Sequence, residues 1–171
     1  LVVKKRWNDK GSGGRARHFK VSGDIVRFIE FMDVGTSDGW CMNDVVSSAE
    51  IVRMVNAEMP LIELPSNYSG EVAQRWTYAD GSGEIGVISS VTQAFCSTCT
   101  RARVSTDGKL YTCLFAESGH DLRALMRSGK SDTQITNAIG LIWNQRKDRY
   151  SELRTAETTK HKKVEMSYIG G

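Results

Sequence analysis

The sequence predicts an α/β fold carrying a metal-binding hairpin, on three observations. The run Asp24-Ile-Val-Arg27-Phe-Ile-Glu30-Phe-Met32 is apolar on both faces except at two charges, as a strand of a covered parallel sheet is. Ser47-Ser-Ala-Glu50 and Ser131-Asp-Thr-Gln134 have the capping-box pattern that opens helices. Between them lies a C-x2-C-x13-C array, Cys96, Cys99 and Cys113, with the hairpin turn Asp107-Gly108 inside it. At 171 residues and 40% hydrophobic content the chain suits one domain, or a piece of a larger one, with a real core.

Taken in order, Leu1 to Lys5 reads as a buried strand that begins without an initiator Met, so the chain looks truncated at its start and complete at its end. Asn8 to Gly14 is a Gly/Ser-rich turn cluster, read as a flexible linker because no Lys-Ser/Thr follows in P-loop fashion. Arg15 to Lys20 suits a short helical turn. In the strand from Asp24 to Met32, the spacing of Arg27 and Glu30 points them to opposite faces. A charge inside such a strand is costly unless paired or functional, and an end at Met32 fits the C-terminal mouth of an α/β barrel.

After a polar loop from Asp33 to Asn43, the Ser47 box opens a helix with Ile51, Met54 and Val55 on one face, and Pro60 ends it. Pro65 confines Leu61 to Tyr68 to an edge or loop. Arg75 to Tyr78 and Glu84 to Val91 read as strands joined by a turn over Ala79 to Gly83. Beyond the cysteines, Leu122, Leu125 and Met126 mark a short helix, and Ile135, Ala138, Ile139, Ile142 and Trp143 form the stripe of a longer one. Both are expected to pack into the core, and the basic stretch from Asn144 to Lys163 to run over the surface. No internal repeat is present. The expected division is 1–45, the last strands and loops of a partial barrel, and 46–171, a C-terminal cluster-bearing domain.

A net charge of +3 is small for this length and argues against a general nucleic-acid binder. No apolar run approaches the roughly 18 residues of a membrane span, and no secretory leader opens the chain. The expectation is a cytoplasmic protein with neither nucleic acid nor membrane as partner. In that compartment, three cysteines in one motif favour metal ligation over disulfides; Cys41 stands apart.

Folding at Asp107-Gly108 carries Cys113 back towards the Cys96/Cys99 loop. Three thiolates on a cubane iron-sulfur cluster leave one iron open to substrate. Cys96, Cys99 and Cys113 with His120 would equally make a closed zinc site, and spacing alone leaves both open, with reduced free thiols as the third reading. Arg101 and Arg103 beside the metal suit an anionic ligand, or else a solvated strand face. A strict two-residue turn would set Cys113 opposite Ala102; a three-residue turn would set it opposite Arg101 and bring both arginines to the cluster side, which the cluster-plus-anion reading requires.

Ile25-Val-Arg-Phe-Ile-Glu-Phe-Met32, Phe95-Cys-Ser-Thr-Cys-Thr-Arg-Ala-Arg103, Asp107-Gly-Lys-Leu-Tyr-Thr-Cys-Leu-Phe115 and the terminal Met166-Ser-Tyr-Ile-Gly-Gly171 together resemble the MoaA family, the radical S-adenosylmethionine (SAM) GTP 3',8-cyclases of molybdenum cofactor biosynthesis. The resemblance implies the C-terminal part of an incomplete radical SAM (TIM-like) barrel with a closing α+β cluster domain. It implies a [4Fe-4S] cluster on Cys96, Cys99 and Cys113 whose open iron takes the guanine of GTP. Arg27, Arg101, Ala102 and Arg103 would contact GTP, Met32 would pack against SAM, and Gly170 and Gly171 would enter the active site and help trigger the radical. The family's reaction converts GTP with SAM to 3',8-cyclo-7,8-dihydro-GTP. Its expected partners are a second copy of the chain and cyclic pyranopterin monophosphate synthase, which acts on the product. The family's second [4Fe-4S] cluster, which cleaves SAM, needs a C-x3-C-x2-C motif that these residues lack. Gly11-Ser-Gly-Gly14 looks like a shortened or replaced segment where the family continues into a helix. The expectation is a chain that holds the GTP-binding cluster but does not cyclise GTP alone; the alternative is a non-catalytic zinc- or cluster-stabilised nucleotide- or phosphate-binding module.

Overall fold

The computed structural model describes residues 1–35, 39–155, 159 and 161–169. They form two compact units, Leu1–Met32 with Trp40–Thr98, and Asp33–Gly39 with Cys99–Gly171. Each is mixed α/β, and among the described residues no helix is long and apolar enough to cross a membrane.

The first unit is a five-stranded sheet with two helices. Strands β1 (Val2–Val3), β2 (Val26–Glu30) and β5 (Glu84–Ile88) run parallel, and β4 (Gln74–Tyr78) and β3 (Leu61–Leu64) continue the sheet antiparallel in the order β1-β2-β5-β4-β3. β3 lies at the edge, as Pro65 requires. Alternation sends Val26 and Phe28 of β2 and Ile85 and Val87 of β5 into a core with Val3, Ala16, Ile51 and Val55, while Arg27 is left exposed on the other face. Helix α2 (Ser48–Glu58) begins where the Ser47 hydroxyl accepts from the Glu50 amide at 3.2 Å, and it stops before Pro60.

The glycine-rich stretch departs from the linker expectation. A 3-10 turn over Asp9–Gly11 leads straight into helix α1 (Ser12–Ser22), with Gly23 in left-handed conformation closing it. The Ser12 hydroxyl donates to the Asp9 carbonyl at 2.9 Å, and Ala16 is fully buried. Gly13 is buried within this helix, so it is a helical residue rather than part of a linker. The short turn expected from Arg15 to Lys20 is therefore the middle of a full helix, and the segment is not replaced by a loop.

The second unit holds a three-stranded antiparallel sheet, β6 (Arg103–Val104), β7 (Lys109–Tyr111) and β8 (His120–Asp121), followed by α3 (Leu122–Arg127) and α4 (Asp132–Gln145). Asp121 caps α3 through the Ala124 amide at 2.8 Å, and both halves of the Ser131/Gln134 capping box are formed. The expectation that these helices enter the core is corrected: no residue of either is buried. The α4 stripe is half-buried, Leu141 is 59% exposed, and Trp143 is covered by the Arg146 guanidinium 3.9 Å from its ring. Leu110, Tyr111, Phe115 and Ile169 supply the buried apolar side chains instead. Lys163, at the end of the stretch expected on the surface, is buried because a carboxylate, Asp33, holds it.

Candidate functional site

In the second unit the site is built on the β6-β7 hairpin. Arg103 pairs with Tyr111 and Val104 with Leu110; carried past these two observed pairs, the same offset would bring Arg101 level with Cys113. This is the three-residue-turn register. Thr106, Asp107 and Gly108 form the loop, closed by Ser105 N to the Lys109 carbonyl at 3.0 Å and Gly108 N to the Ser105 carbonyl at 2.9 Å. Gly108 has φ of 80°, a conformation that glycine adopts without a Cβ clash. Asp107 accepts from the Ser105 hydroxyl and pairs with Lys109 at 3.1 Å; the Ser105 bond foremost, with Lys109 and Tyr168, overcomes desolvation and brings its carboxyl down to about 2.

Around Cys99 the neighbouring donors favour the thiolate form over the thiol. Arg101 donates to its sulfur from Nε at 3.3 Å and Nη2 at 3.1 Å, and Arg146 holds its carbonyl. Burial pushes the Cys99 thiol up, but the backbone and guanidinium bonds from Arg101, with the charges beside it, hold it below the ordinary thiol value. Arg103 is half-buried; burial and the neighbouring charge of Arg101 lower its pKa, while the Cys99 and Cys113 sulfurs oppose that shift. One guanidinium thus senses both sulfurs. Cys113 Sγ also accepts from the Phe115 amide at 3.4 Å, and Ala102 is exposed between the two arginines.

In the first unit, the parallel strands β1, β2 and β5 end on one edge of the sheet, where α/β proteins bind ligands. Met32 follows β2 there and is half-buried; half-buried Cys96 follows β5. Arg27 lies across Gly86 of β5, whose Cβ would meet Arg27 Cγ at 3.1 Å, and its guanidinium has no hydrogen-bond or ion-pair partner among the described residues. Glu30 is fully buried and accepts from the amides of Ser48 (2.7 Å), Val91 and Thr92 (2.8 Å each) and the Thr92 hydroxyl (2.5 Å). It therefore fixes the loop that leaves β5 towards Cys96. The charge inside the strand is thus paired, as its cost demands.

Sequence reasoning missed the basic residues after β1. Lys5, Arg6, Trp7, Lys10 and Arg15 line a cavity of about 570 Å³, and Arg6 is held at φ of 66°, a strained position for a residue with a Cβ. The Lys-Lys-Arg run at a strand's C-terminal end was the available signal.

Among the described residues no three His, Cys, Asp or Glu side chains are gathered as a bound ion would gather them, and no disulfide joins any of the four cysteines. Exposed His120 sits on β8 opposite Leu110. The donor chemistry at Cys99 nevertheless fits a soft metal, since the thiolate is the ligating form and Arg101 favours it. Gly170 and Gly171 lie outside the described residues.

Residues 24–152 match the family model described as Molybdenum Cofactor Synthesis C. The chain is 44% identical over 195 residues to a GTP 3',8-cyclase of Acidothermus cellulolyticus, covering 99% of this chain and 54% of that protein. It is 46% identical over 170 residues to that of Xanthomonas axonopodis pv. citri (99% and 50%), and 45% over 175 to that of Staphylococcus carnosus (100% and 52%). The chain spans about half the length of these curated relatives. With the family model matched over most of its length, the chain belongs to the Molybdenum Cofactor Synthesis C family.

Proposed function

We propose that the chain is the GTP-holding part of a GTP 3',8-cyclase of molybdenum cofactor biosynthesis. The observation that carries this is the hairpin register, Arg103 against Tyr111 and Val104 against Leu110, together with the Arg101 guanidinium on the Cys99 sulfur. Cys96, Cys99 and Cys113 would hold a [4Fe-4S] cluster, which when bound supplies an open iron for GTP. Arg101 and Arg103 would grip anionic groups of the nucleotide bidentately, and Arg27, whose guanidinium has no partner among the described residues, would serve the same task. Lys5 and Arg6, on the edge where the parallel strands end, add cations suited to phosphates. Met32 on that edge would pack against SAM, and Gly170-Gly171 would complete the site. The same reading carries a homodimer, and cyclic pyranopterin monophosphate synthase as the enzyme that takes the product.

The sequence contains no C-x3-C-x2-C, so the chain alone is expected to bind GTP without cyclising it. Anaerobically prepared protein should be brown, with several irons per chain. Arg101→Ala should weaken GTP binding about tenfold, a loss of about 1.4 kcal/mol, with iron retained; Cys113→Ser should lose the cluster. Unchanged GTP affinity in Arg101→Ala would remove the substrate role given to the hairpin. Colourless protein with one zinc per chain would favour a zinc-stabilised phosphate-binding module.

A further inference from the structure

The second unit contains a buried charged cluster that lies outside the residues proposed to hold GTP. Asp33 is 3% exposed. Its Oδ2 accepts from Lys163 Nζ at 2.8 Å and from the Tyr150 hydroxyl, and its Oδ1 from Arg154 Nε at 2.9 Å. Its carbonyl takes a further bond from Lys163 Nζ at 2.9 Å. Tyr150 stacks on Phe115 with centroids 4.4 Å apart; Lys163 lies 4.8 Å from the Tyr150 ring and Arg154 5.4 Å from that of Phe115. Buried ion clusters contribute little net stability compared with apolar packing, yet breaking one is costly, so their best-attested use is to specify one arrangement.

What this cluster specifies is the path of the chain's end. Immediately after Lys163, the Val164 amide donates to the Ala116 carbonyl at 3.1 Å. The chain then makes a 3-10 turn over Met166–Ile169, where the Asp107 carboxylate of the hairpin turn pushes the Tyr168 phenol up and Ile169 is fully buried. Every one of these attachments runs to Asp33 or to the stretch from Asp107 to Ala116 that carries Cys113.

We infer that Asp33 is a positioning residue that, acting through Lys163, fixes Lys163–Ile169 along the cysteine hairpin and so sets the point from which Gly170-Gly171 depart. The inference rests on the proposed function only in giving those glycines a task at the GTP site.

Hydrogen exchange of the chain, followed by mass spectrometry, tests it. In Lys163→Met, exchange across 161–169 should rise tenfold or more while β2 and β7 stay within twofold of the unaltered chain, and Lys163→Arg, which keeps the charge, should restore protection. Unchanged exchange across 161–169, or no rescue by Lys163→Arg, overturns the inference. Should Lys163→Met fail to fold, Tyr168→Phe leaves the buried cluster intact and should still loosen 166–169 by threefold or more; unaltered exchange there overturns it equally. GTP affinity separates a positioning role from a merely structural one. Deleting Gly170-Gly171 and Lys163→Met should each weaken binding about fivefold and together by less than tenfold, since one acts through the other. Multiplicative losses, or none from either change, overturn the link to the tail. If the unaltered chain binds no GTP, the proposed function fails, and the exchange comparison still decides whether the clasp exists.

Discussion

Glu30 and Asp33 are both buried carboxylates, three residues apart, and they are satisfied in opposite ways. Glu30 takes three backbone amides and one hydroxyl, all within the first unit and none charged. Asp33 takes an ammonium, a guanidinium and a phenol, all from the C-terminal stretch of the second unit. Amide donors are fixed to the backbone, so Glu30 locks loop shape: the start of α2 and the exit from β5. Long cationic side chains come from far along the chain, so Asp33 locks chain path. The first arrangement leaves no counter-charge behind when its carboxylate is lost; the second leaves two.

That difference orders the expected effects. Asp33→Ala leaves Lys163 and Arg154 buried without their carboxylate and should cost about 4 kcal/mol in urea unfolding. Adding Lys163→Met should recover part of that loss; if it recovers none, the stranded charges are not its cause. Glu30→Gln turns an acceptor into a group whose NH2 opposes amide donors, and should cost about 3 kcal/mol. An equal loss for Glu30→Gln and Asp33→Ala would erase the contrast.

Acid sharpens it further. Burial pushes the Asp33 carboxyl up, but the bonds from Lys163 and Tyr150 and the charges of Arg154 and Lys163 outweigh this and hold it below the usual carboxylate value. Its contribution is therefore fully present above about pH 4 and is lost as pH falls through the lower folded value. Unfolding followed from pH 6 downwards should show this loss, and Asp33→Asn should flatten that part of the profile. The smallest effect concerns the face of β2 opposite Glu30. Gly86→Ala would press on Arg27 Cγ and on Ala73 Cβ, 3.1 and 3.3 Å from the new atom. It should cost about 1 kcal/mol and lower GTP affinity only a few-fold; a larger loss of affinity than in Arg27→Ala would mean that Gly86 acts otherwise than through Arg27.

Local patterns were legible where a side chain answers to its own neighbours. Both serine caps, the edge placement before Pro65 and the opposite faces of Arg27 and Glu30 were all readable from spacing. The hairpin register was readable only conditionally: Asp107-Gly108 suits either turn length, and the chemistry demanded of Cys113 and Arg101 chose between them. What escaped depends on distant partners. Gly13 has the composition of a linker and yet lies buried inside α1. The α4 stripe has core periodicity without core burial, since period reports a face and not what covers it. Lys163 sits in a basic surface-like run, and nothing near it in sequence announces Asp33. Two-residue strand β8 is too short to leave a period at all.

Asp33 and Lys163 are separated by 130 positions, and the Asp33–Gly39 segment is the only part of the second unit that precedes Cys99. Chain synthesis therefore delivers the carboxylate before its cations. The clasp can close only after the loop between them has been ordered, which places it among the slow, non-local events of folding. A chain started at Cys99 would carry Arg154 and Lys163 with no Asp33 to receive them, so the cysteine hairpin and its tail are a module in space but not one that can be cut out of the sequence.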